Sequence, residues 1–235
     1  MFRATLCFAG VLLVFAASVG ADSPGEKPAV APAARFDTVV REDLFAGFAG
    51  DNEALVRGIK SCDDALKADP KNAEAKMWRG AARVFQGGQA FQAKNPAEGI
   101  KLFTTGQSEM DEAVKMDPKN PGVRIPRASV LIQAANGMPP AMAKPLLEKV
   151  RDDFEMIYAL HKDSLDKIGT HPNGELRMGL ADVYRRLGES EKSKAQLKAV
   201  SEELPDTKYG KRAAEWLAAE PGAKLSHSCI GCHTK

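Results

Sequence analysis

Two stretches of this chain, 48 residues apart, are close copies of one another. Residues 58–72 read GIKSCDDALKADPKN and residues 106–120 read GQSEMDEAVKMDPKN, identical at eight of fifteen positions. A unit recurring at this spacing is too small to bury its own apolar face, so it has to stack on its neighbours. The repeat therefore predicts an array of small units. A chain of 235 residues with three Tyr, two Trp and no long alternating run of Val, Ile and Thr argues against β structure. A formal charge of +2 gives no basis for a nucleic-acid or polyanion partner.

At these positions the chain resembles the tetratricopeptide repeat (TPR) family, whose units are pairs of helices of about 34 residues. The resemblance rests on Pro70 and Pro118 closing their units, on Ala65 and Ala113 before them, and on Gly80 as the small residue of a first helix. Residues 172–205 fit best, with Tyr184, an inter-helix turn at Leu187-Gly188, and Leu197. There Leu176, Leu180, Val183, Tyr184 and Leu187 follow helical spacing. The resemblance covers roughly residues 42–219. It implies an all-α fold, a TPR-like antiparallel helix-pair solenoid, whose groove docks a protein partner. The fit is imperfect, because the prolines at 70, 118 and 172 are 48 and 54 residues apart. The surplus is expected in enlarged turns at 86–99 and 136–140, between the two helices of successive units and on one rim of the solenoid. A closing helix is expected over 209–219, with Trp216 and Leu217 as its apolar contacts.

The strongest chemical signal is Cys229-Ile230-Gly231-Cys232-His233. Two thiols separated by two residues, with histidine beside the second, is the spacing for covalent haem c attachment. Cys229 and Cys232 would each add to a porphyrin vinyl group, and His233 would be the proximal iron ligand. Met138, in Gly-Met-Pro-Pro, resembles the methionine-ligand loop of small c-type cytochromes and is the candidate distal ligand, against an ordinary loop methionine. Zinc held by His227, Cys229, Cys232 and His233, or a redox dithiol, are the other chemistries open to this tail of residues 220–235. Only Thr234 and Lys235 follow the motif in this sequence. Cover for the haem is therefore expected from the preceding chain or from a partner.

The first residues read as an export signal over 1–21. Arg3 supplies a positive charge, 4–19 are apolar, and Val19-Gly20-Ala21 offers small residues for cleavage after Ala21. An uncleaved membrane anchor is the alternative. Residues 22–41 are expected as a Pro/Ala-rich linker, with folded structure starting somewhere in 35–44. Export to the periplasm and haem c attachment support one another.

The other candidates have plain readings. His161 lies on the stripe Val150, Phe154, Ile157, Leu165 and is expected as a core histidine; His171 is expected in a turn. Cys62 is expected in the core. The acid pairs Asp63-Asp64, Asp111-Glu112 and Asp152-Asp153 are expected on solvated faces. No hydrolytic motif is present, so the chain is expected not to be an enzyme. The expected function is electron transfer by the covalent haem, with the solenoid docking another exported or membrane redox protein. The alternatives are a haem sensor or gas- or peroxide-binding module with open iron, and a TPR scaffold with a zinc-bound tail.

Overall fold

The computed structural model describes residues 35–220. The expected export signal over 1–21, most of the expected linker, and Cys229, Cys232 and His233 lie outside the described residues. Among those described there are nine α-helices and no strand. They are α1 (Asp37–Phe48), α2 (Asn52–Ala68), α3 (Ala73–Gln92), α4 (Pro96–Met116), α5 (Pro121–Ala134), α6 (Pro140–His161), α7 (Thr170–Arg186), α8 (Ser190–Glu203) and α9 (Lys208–Ala218). The all-α expectation holds. Helix α1 starts at Asp37 and fully buries Val40, so the end of the 22–41 stretch is folded.

Consecutive helices pack in pairs, α1 on α2, α3 on α4, α5 on α6 and α7 on α8, with α9 on α8. First helices of neighbouring pairs also meet, α1 with α3, α3 with α5, and α7 with α9. The repeated Asp-Pro-Lys-Asn explains how the chain passes from pair to pair. Asp69 and Asp117 end α2 and α4, and in each case the Asn three residues on donates its N–H to the Asp carbonyl, at 3.1 and 3.3 Å. The side chains of Asn72 and Asn120 then cap α3 and α5, accepting from the N–H groups of Ala75 and Gly122 at 2.9 and 2.7 Å. One tetrapeptide thus stops one helix and starts the next. The turn expected at Leu187-Gly188 is also present, with Gly188 at φ +81°.

The surplus residues of the first long interval do not form an enlarged turn. Residues 86–92 continue α3, which reaches 20 residues, and α4 reaches 21; only residues 93–95 separate them. Four glycines allow this. A methyl group on Gly80 would sit 2.7 Å from the Gly106 carbonyl oxygen, and one on Gly87 3.0 Å from that of Gly99. The two antiparallel helices therefore approach backbone to backbone along a seam of seven-residue spacing, where any side chain would push them apart. At 136–140 the turn is likewise compact, a single 3₁₀ turn over Ala135–Gly137. The second surplus lies in α6, 22 residues long, and in the connector over 162–169.

Charge also stitches the pairs together, and here the solvated-face expectation fails for two acids. Asp153 is completely buried and accepts from Arg127 through Nε and Nη2, and from Arg124, each at 2.7 Å. Arg127 also reaches Asp111 at 2.8 Å, and Lys149 meets the same carboxylate at 2.6 Å. This network ties α4, α5 and α6. Helical spacing from Val150 to Phe154 and Ile157 turns Asp153 inward together with its apolar neighbours. Likewise Leu217, expected in the core, is 42% exposed, and the apolar face of α9 is Tyr209, Ala213 and Trp216.

Candidate functional site

Helices α1, α3 and α5 run in the same direction, and Glu74 joins their starts. Its carboxylate accepts from the Phe36 N–H at 2.8 Å and from Asn120 Nδ2 at 3.1 Å. The series is not continued closely from α5 to α7, because the long α6 and its connector intervene. At their far ends the two are held by Arg186, which donates to the Ile132 carbonyl at 3.1 Å and to Asn136 at 3.0 Å. Between their starts lies a cavity of about 480 Å³. That is the size class of cofactor and small-molecule sites.

The walls of the cavity are apolar and come from five helices. Phe45 and Phe48 of α1 and Trp78 of α3 form one side, with the Phe45 and Trp78 rings edge to face at 6.0 Å. Ile125 of α5 and Phe154 and Ile157 of α6 form another, and Leu176 of α7 closes it. Polar groups are few and are set at the rim. Arg35 and Arg41 both pair with Asp37. Trp78 leaves its buried indole N–H without a hydrogen-bond partner among the described residues.

Two histidines line the same cavity, and neither behaves as the sequence suggested. His161 is the last residue of α6, half-buried, and its imidazole makes no hydrogen bond among the described residues. It is not a satisfied core residue, because the helix ends there and the stripe passes to the connector through Leu165. His171 is not in a turn but in the first turn of α7. Its Nδ1 lies 2.5 Å from the Tyr209 hydroxyl, which in turn donates to Glu175 Oε1 at 2.8 Å. A tyrosine has one O–H proton, and here the Glu175 carboxylate takes it. The His171–Glu175 spacing of one helical turn is visible in the sequence. Tyr209, on a different helix, is not.

Met138 sits at the compact α5–α6 turn, partly buried and packed on the main core, and does not line the cavity. Cys62 is fully buried in α2, and burial, followed by the neighbouring Asp63 charge, pushes its thiol up to about 12. A thiol with that pKa is packing rather than chemistry. Among the described residues there is no group of three or more His, Cys, Asp and Glu placed to hold a metal ion. Nor is any described helix long and apolar enough to cross a membrane.

In comparisons with known proteins, no protein-family model matched this chain, and neither did any curated protein or solved structure.

Proposed function

We propose that this chain is an exported, c-type cytochrome-like protein: a TPR-like solenoid that docks a protein partner and carries one covalent haem c on Cys229 and Cys232, with His233 as proximal ligand. The observation that carries the reading is the motif Cys229-Ile230-Gly231-Cys232-His233, in a chain whose residues 1–21 read as an export signal. Both thiols, the adjacent imidazole and an oxidising compartment are what haem attachment requires. The solenoid part is supported by helices packed in consecutive pairs and by the first helices α1, α3 and α5, which meet in series. The recurring Asp-Pro-Lys-Asn junction supports it as well.

Cys229 and Cys232 would hold the haem and His233 would ligate its iron, and the bound group would supply one-electron redox chemistry between a reduced and an oxidised partner. The protein contributes position, axial ligation and exposure of the haem edge. Protein-film voltammetry on the haem-loaded protein tests this. A reversible one-electron wave is expected. A covalent haem that exchanges no electrons with electrode or redox proteins, yet turns over peroxide, would instead support the gas- or peroxide-binding reading.

A further inference from the structure

The cavity between the starts of α5 and α7 has no role in that reading. We propose that it is a separate binding site for an unattached small molecule, an amphiphile with an apolar body and one carboxylate. The proposal does not depend on the haem.

The walls set the body of the ligand. Phe48, Trp78, Ile125, Ile157 and Leu176 line a space of about 480 Å³, within the range of small-molecule sites. Ile125 is 43% exposed although it lines the cavity, so the apolar lining continues out to the mouth. An aliphatic or aromatic body gains by leaving water for such walls, and a strongly hydrated one does not.

Charge sets the head group. Arg35 and Arg41 both donate to one oxygen of Asp37, Oδ2, and all three residues line the cavity. Asp37 is buried, while the two arginine side chains are 65% and 48% exposed. Two guanidinium groups thus share one carboxylate, which leaves a surplus positive charge on the α1 side of the mouth. A guanidinium has five N–H donors, and among the described residues each arginine spends a single nitrogen on Asp37. The buried carboxylate holds both forks in place, and their other donors suit the two oxygens of a carboxylate. Glu175, the other acid of the lining, belongs to α7 and accepts from Tyr209 at 2.8 Å. Aromatic walls alone would also suit an ammonium group, but here the two arginines at the mouth repel one.

Trp78 provides a reporter in the cavity wall. The chain has two tryptophans, and Trp216 lies in a second core cluster with Met178 and Leu197. Trp216→Phe therefore leaves Trp78 as the sole indole.

The test uses the full chain, both made with haem c attachment and as the Cys229→Ala, Cys232→Ala double variant. Octanoate, octanol and octyltrimethylammonium share one alkyl body and differ in charge, and each is titrated by calorimetry at neutral pH. Octanoate is expected to bind at one site per chain in both proteins, and to shift Trp78 emission in the double variant carrying Trp216→Phe. Octyltrimethylammonium is expected to bind at least about tenfold more weakly. Arg41→Gln should weaken octanoate at least about tenfold, through the loss of a charged hydrogen bond, and leave octanol unchanged. Asp37 keeps Arg35 as its partner in that variant, so the fold should hold. Ile125→Glu puts a like charge at the exposed mouth and should also weaken octanoate, and it carries the test if Arg41→Gln does not fold. Equal affinity for octanoate and octyltrimethylammonium, or octanoate binding untouched by both substitutions, would overturn the proposal. So would the absence of saturable octanoate binding in either protein. Binding by the double variant that disappears in the haem-loaded protein would assign the cavity to the protein's own haem, overturning the unattached ligand while leaving covalent attachment intact.

Discussion

At the residue scale, single side chains in this protein acquire meaning from which neighbour satisfies them. Cys62 and Met110 occupy the same place in the two copies of the repeat, and both are fully buried. A cysteine in that place is a small apolar residue. Its thiol, pushed up to about 12 by burial, should not react with a disulfide reagent at pH 8 in the native protein and should react once in denaturant. Labelling of the folded protein at the rate of a free thiol would contradict this. Asp153 shows the reverse case, a charge whose burial is tolerable only because two arginines reach it. Asp153→Ala leaves Arg127 buried with only Asp111 as partner and should destabilise the fold by about 3–5 kcal/mol in urea titrations. A loss below about 1 kcal/mol would show that the network contributes little.

At the element scale, the α3–α4 pair is decided by what its glycines touch. Gly80 lies against the Gly106 backbone, whereas a methyl group on Gly88 would meet nothing within 4 Å. Gly80→Val should therefore cost about 1–3 kcal/mol through overpacking, and Gly88→Ala should stabilise by about 0.5–1 kcal/mol through helix propensity. Equal effects of the two substitutions would refute the close crossing. The same glycines explain why the long intervals misled. Gly87, Gly88 and Gly99 in a polar context read locally as a turn, and nothing local reveals that two of them are the contact surface of a facing helix. By contrast Asp-Pro-Lys-Asn was legible, because a cap and its stop signal act within four residues. So was the Leu187-Gly188 turn, which needs only a residue tolerant of positive φ.

At the scale of the whole molecule, the pairing of helices followed from the repeat, but the cavity did not. Its walls come from five helices, and His171, Glu175 and Tyr209 meet only because α9 lies against α7. Ion pairs also spread across the array, and several carboxylates are held below their ordinary value of 4.5: Glu203 by the hydrogen bond from Arg177, Glu189 by Lys192 and then Arg151, Glu112 by Lys76. A carboxylate with a lowered folded pKa stabilises fully above its unfolded value and loses that contribution as pH falls through the folded one. The urea midpoint should thus hold from pH 7 to about 5 and fall below about 4.5. A midpoint unchanged at pH 3 would contradict this.

The central claim is that a haem is bonded to Cys229 and Cys232. The most direct measurement is the pyridine haemochrome spectrum of denatured protein made in a bacterium that attaches haem c, alongside the Cys229→Ala, Cys232→Ala double variant. The account predicts a c-type haemochrome at one haem per chain for the unmodified protein, and none for the double variant. A denatured chain free of haem, or haem retained by the double variant, would contradict it.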